Sequence, residues 1–170
     1  MKLRNDIKIN GKLYPKGSEI SGLKIYPFFL FHMLAFGLSG FVMAYSDEGP
    51  PTLFLYLFGG IAILSYIVFY LTFFGRDEVK WMFINSALGL FGIYTEINWI
   101  LSFFGKVVGN YPLSVHVIPF LFYILYTFLI RQALIDLTNS RENLARRKMV
   151  DQFYVTASTL LYTYIYFANR

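Results

Sequence analysis

Two of the ionisable side chains inside apolar stretches of this chain invite a chemical reading. Glu96 lies in the run GIYTEINWI, from Gly92 to Ile100, and His116 follows shortly after Pro112. A carboxylate and an imidazole can hold, pass or gate a proton, and ionisable groups inside membrane spans are functional candidates by default. On a helix, residues three or four apart share a face. Asn85, Gly89, Gly92 and Glu96 therefore form one stripe of small and polar residues, with Phe83, Leu90 and Ile97 elsewhere around the helix. At 1.5 Å per residue, Glu96 is roughly 12 Å from Phe104 and His116 about 6 Å from Pro112, which puts both in the same half of a bilayer. Pro119 has no N–H, so the carbonyl of Val115 next to His116 loses its helical partner. The expected polar site is Glu96 with His116, with Tyr94 or Asn98 nearby, able to relay protons or gate a small pore. Asn98 lies about 200° around the helix from Glu96 and is expected in a different contact. The competing reading is a neutral glutamate, hydrogen-bonded within a structural core or to a partner subunit.

Other chemistries find little support. There are no cysteines, so disulfides, thiolate zinc sites and thiol nucleophiles are excluded. The only histidines, His32 and His116, fall at opposite ends of the membrane and cannot share one metal or haem iron. No metal and no cofactor is expected. No phosphate loop, dinucleotide fingerprint, HExxH or G-x-S-x-G occurs.

The elements that position these residues read as membrane helices. The 170 residues are 56% hydrophobic and 21% aromatic, and only 15% carry charge, against about 25% in an ordinary soluble domain. Residues 1–24 form a polar, basic segment, read as an extended arm that calls for something to hold it. It is too long a polar start for a signal peptide, so the first apolar run is expected to be a retained span. Residues 25–168 read as an all-α, polytopic helical bundle, with four spans at about 26–45, 52–74, 81–104 and 112–135. A fifth run, about 150–168, either crosses or lies at the interface as an aromatic helix. It has no charged face, which favours crossing. Placing the N-terminus on the cytoplasmic or matrix side puts Asp47, Glu48 and the loop with Lys106 outside, and Arg76, Lys80 and the basic block at 141–148 inside. Every loop then obeys the positive-inside rule. A bacterial or mitochondrial inner membrane suits this pattern.

Small residues mark helix contacts: Gly37, Gly40 and Ala44 in the first span, Gly59 in the second, and Asn85, Gly89 and Gly92 in the third. Arg131, Arg146, Arg147 and Lys148 are expected to meet anionic phospholipid head groups. No basic folded surface for nucleic acid is visible. The favoured expectation is a non-catalytic accessory or structural subunit of a larger membrane complex, touching other membrane subunits through aromatic and small-residue helix faces and the N-terminal arm. A small oligomeric proton or ion channel using Glu96 and His116 comes second, and a membrane enzyme acting on a lipophilic substrate third.

Overall fold

The computed structural model describes residues 3–9 and 11–168, without the side chains at 9, 23, 24, 83–85, 87 and 88.

The N-terminal segment folds as a hairpin. Strand β1 (Ile7–Ile9) pairs antiparallel with β2 (Lys12–Tyr14), Ile7 opposite Tyr14 and Ile9 opposite Lys12. The sequence between the strands is Asn–Gly, the pair best suited to a tight hairpin turn with positive φ at its centre, and Gly11 has φ +80°. Leu3 extends the unit through backbone bonds with Ser18 and Gly17 at 3.0 and 2.9 Å, and its side chain is buried. The Asn5 amide donates to the carbonyls of Leu71 and Thr72 at 3.1 and 3.4 Å. Both lie in the last turn of the second helix; the Leu71 carbonyl also accepts the Gly75 N–H at 3.1 Å. The expected extended arm is thus a hairpin, held by the chain's own helix.

Five long helices follow: α1 (Gly22–Tyr45), α2 (Thr52–Phe74), α3 (Arg76–Ser102), α4 (Leu113–Leu137) and α5 (Leu144–Ala168), with a 3-10 turn, Val108–Asn110, before α4. Gly75, at φ +85°, lets α2 turn straight into α3. Helix α3 stops in a left-handed cap at Gly105, where Lys106 N–H reaches the Leu101 carbonyl and Gly105 N–H that of Ser102. The same device, with Asn139 in the left-handed position, ends α4: Ser140 N–H bonds to Ile135 and Asn139 N–H to Asp136.

Helix α4 is the axis of the bundle and touches each of the other four. Ile118, Leu125, Phe128, Leu129 and Ile135 are almost wholly buried along it. Helix α5 runs antiparallel to α4 for much of its length, with Asp151 beside Arg131, Tyr154 beside Thr127 and Tyr162 beside Tyr123. It does not lie across the end of the bundle.

Among the described residues, three helices are long and apolar enough to cross a membrane: α1 from Ile25 to Tyr45, α2 and α4. The expected four spans and a fifth reduce to three on this measure. Helices α3 and α5 start earlier than their apolar runs, at Arg76 and Leu144, and take in charged residues.

Candidate functional site

The small-residue stripe of α3 faces protein. A Cβ on Gly89 would meet the ring of Tyr123 at 3.4 Å, and one on Gly92 would lie 2.6 Å from the ring of Tyr162 and 2.8 Å from the Tyr123 hydroxyl. At position 92 only glycine lets the Tyr123 and Tyr162 side chains come this close. The side chain of Asn85 lies outside the described residues. One turn beyond Gly92, Glu96 lines a cavity of about 480 Å³ between α1, α3 and α4. Its walls are mostly apolar, including Leu34, Leu38, Phe41 and Phe122, and Tyr123, Tyr126 and Lys106 join Glu96 in the lining. Among the described residues, no hydrogen bond or ion pair ends on the Glu96 carboxylate.

His116 does not line the cavity that holds Glu96. Its Nδ1 shares a 2.7 Å hydrogen bond with the Tyr45 hydroxyl. The Tyr45 carbonyl in turn accepts from Tyr111 Oη at 3.2 Å and Lys106 Nζ at 2.7 Å, and Lys106 also pairs with Asp47 at 2.7 Å. This knot ties the end of α1 to the start of α4. His116 is an anchor there because Tyr45, the last residue of α1, lies at the same height. Tyr94 is 56% exposed on the outer side of α3, and Asn98 is half-buried outside the cavity lining. Of the four expected site residues, only Glu96 faces the cavity. His32 is exposed and packs on the Phe28 ring at 4.3 Å.

The packing glycines sit at close approaches to α4. Gly37 and Gly40 lie against Phe122, with Cβ positions 3.7 Å from its side chain, and Gly59 receives Ile118. Ala44 is buried one turn beyond Gly40.

A polar cluster that the sequence reading did not assemble occupies the hairpin end. Arg131 is 2% exposed. Its Nε and one terminal nitrogen donate to the two oxygens of Asp151 at 2.8 and 3.1 Å, and it reaches Glu78 at 3.5 Å. Its guanidinium stacks over Trp81, 4.9 Å from the ring centre. Glu78 also accepts from Gln132 at 2.9 Å and pairs with Arg147 at 2.8 Å. Asp136 takes Arg141 and the Tyr26 hydroxyl, and Arg141 bonds to Gln132 at 3.0 Å. Three arginines thus meet three carboxylates from α3, α4, α5 and the α4–α5 connection. Burial pushes the Glu78 carboxyl up, but the Gln132 bond and the charges of Arg147 and Arg131 outweigh it and hold it below the usual carboxylate range. For Arg141, the bond and charge of Asp136 outweigh burial and raise its affinity for the proton. The expected head-group contacts divide accordingly. Arg131 and Arg147 turn inward because carboxylates wait at their height, and Arg146 and Lys148 stay exposed. The available cue was the placement of Glu78, Asp136 and Asp151 at the ends of three runs that meet on one side.

Compared with models of protein families, with curated proteins and with solved structures, the chain matches none.

Proposed function

We propose that this chain is a non-catalytic subunit of a larger membrane assembly, and that the cavity between α1, α3 and α4 seats the apolar side chains of a neighbouring subunit. The cavity carries this reading. Its walls are mostly apolar and it is edged by the exposed side chains of Leu34, Leu38, Val42 and Phe104. The chain's own hairpin is held at the end of α2 and does not serve as occupant. The internal pairing of the charged cluster suits a rigid scaffold, since neutralised charges leave the bundle's outer faces to apolar contact. In this reading the hairpin side is cytoplasmic or matrix-facing, and Arg146 and Lys148 meet anionic head groups.

A second reading is favoured by the polar groups in the same cavity. Glu96, Tyr123 and Tyr126 among apolar walls suit a lipophilic small molecule with one polar group, as in a membrane enzyme or carrier.

One experiment separates the two. A photo-reactive residue replaces Leu38, and native membranes are irradiated before purification in mild detergent. A protein adduct, in a particle of several chains at fixed stoichiometry, supports the subunit reading. A lone chain or homo-oligomer carrying only small adducts overturns it in favour of the second.

A further inference from the structure

Helices α1 and α3 both pack on α4, yet among the described residues they make little contact with each other. The strip of α4 between them is left to the cavity, which takes Pro119, Phe122, Tyr123 and Tyr126 as its floor. The space is therefore a groove with two helical walls. On the α1 wall, Leu34, Leu38 and Val42 follow at four-residue spacing, and each is more than half exposed. From Leu34 to Tyr45 that wall runs roughly 17 Å, about three turns. A groove of this form is open along its side and suits a helix laid lengthwise.

Glu96 enters the groove from α3, less than two turns before that helix ends at Ser102. Gly37 of α1 meets Phe122 and Gly92 of α3 meets Tyr123, so Leu38 and Glu96 stand within about one turn of each other in height. The polar neighbours that could serve the carboxylate are already engaged. Lys106 is held by the Tyr45 carbonyl and by Asp47, both at 2.7 Å. The Tyr123 hydroxyl is bonded to that of Tyr162. The carboxylates at the hairpin end are treated differently, since Glu78, Asp136 and Asp151 each meet an arginine of this chain. Among the described residues, Glu96 meets none. A carboxylate among apolar walls is costly unless it is paired, and the open side of the groove is where a partner can reach it.

We propose that the neighbouring subunit lies in this groove as a membrane helix bearing one lysine or arginine, whose charge pairs with Glu96. The pairing rests on the reading of this chain as a subunit and adds the partner's chemistry. The two kinds of lining have separate tasks. The apolar walls accept many helices in many registers. The ion pair selects one of them, because a helix without the cation, or shifted by a turn, leaves Glu96 buried and unpaired.

The test uses the photo-reactive residue at Leu38, with the native assembly extracted into mild detergent. Adduct yield is followed over a dilution series, and the segment joined to position 38 is sequenced by mass spectrometry. That segment is expected to be an apolar helix of another chain, with a lysine or arginine within two turns of the attachment. Glu96→Gln breaks no bond seen within the chain. It should move the dilution midpoint about 10-fold toward higher concentration, the scale of losing a bond to a charged group. Asp77→Asn removes an exposed charge elsewhere on α3 and should leave the midpoint unchanged. Glu96→Lys should abolish the adduct, and a glutamate in place of the partner's basic residue should restore it. A protein adduct whose segment has no basic residue there, or whose midpoint is the same in Glu96→Gln, overturns the ion pair and leaves the subunit reading standing. Small adducts alone, or none, from the wild type overturn both.

Discussion

Arg131 concentrates a large electrostatic stake on one side chain. It is buried under Trp81 and divided between Asp151 and Glu78. Removing one member of a buried ion pair leaves the other charge uncompensated and costs about 3–5 kcal/mol. Arg131→Met should therefore lower stability in detergent by that order, measured by titrating in a denaturing detergent. Arg146→Met, on the exposed side of α5, should stay within about 0.5 kcal/mol of wild type. Glu78 adds a pH dependence whose sign follows from its neighbours. Its carboxyl is held below its ordinary 4.5 in the folded bundle. The stabilisation is complete above that ordinary value and is lost as pH falls through the lower native one. Unfolding measured from about pH 7 down to pH 3 should show an acid limb that is shallower in Glu78→Gln. These residues were only partly legible in the sequence. Glu96 stood out because a carboxylate in an apolar run is rare. The partner assigned to it, His116, came from matching depth alone, and an estimate of depth does not say which neighbour a side chain will meet. His116 and Tyr123 share a face of α4 two turns apart; His116 is taken up by Tyr45, while the Tyr123 hydroxyl reaches Gly92, in the turn before Glu96.

Close contacts between the helices rest on particular glycines, and neighbouring glycines differ sharply. Gly59 faces Ile118 with no room for a methyl group, whereas a Cβ on Gly60 would meet nothing within 4 Å. Gly59→Ala should destabilise by about 1–3 kcal/mol through overpacking against α4. Gly60→Ala should be neutral or stabilise by up to about 1 kcal/mol, since alanine is the better helix former. The pair is best compared side by side in one thermal unfolding series. The hairpin offers a second test. Asn5→Ala removes its bonds to the last carbonyls of α2. It should cost about 0.5–1.5 kcal/mol and make the first 20 or so residues the earliest site of limited proteolysis. Most element boundaries were legible, because apolar runs of membrane length separated by short polar turns leave few alternatives. The hairpin was not, because strands of three residues carry too little alternation. Its cue was the Asn–Gly pair. The early starts of α3 and α5 were hidden because charged residues that pair with one another across helices look, in sequence, like solvated loop.

At the scale of the molecule, the three apolar helices constrain the other two. Helix α2 ends at Phe74, beside the hairpin, and α4 begins at Leu113, beside the Tyr45–His116 knot at the opposite end. If both cross a membrane, α3 has to carry the chain back between those ends. Its 27 residues, roughly 40 Å of helix, are long enough to do so. Its polar residues are tolerable because the stripe of Gly89, Gly92 and Glu96 faces α4, α5 and the cavity rather than lipid. Helix α5 starts from the hairpin end, pairs with α4 through Asp151, Tyr154 and Tyr162, and places Tyr166 against Phe91 of α3. Its 25 residues reach about as far as α4 does, which predicts five crossings. The absence of cysteine makes this directly measurable, since each engineered thiol is the only one present. Lys12→Cys, Glu48→Cys, Glu142→Cys and Ala168→Cys are to be labelled with a membrane-impermeant maleimide in sealed vesicles of both orientations. Positions 12 and 142 should label from one face and 48 and 168 from the other, with the first face cytoplasmic if the basic loops follow the positive-inside rule. Position 168 labelling together with position 12 would mean that α5 stays on the hairpin side of the bilayer. The lengthwise contacts with α4, from Asp151–Arg131 to Tyr162–Tyr123, would then have to form outside the hydrocarbon.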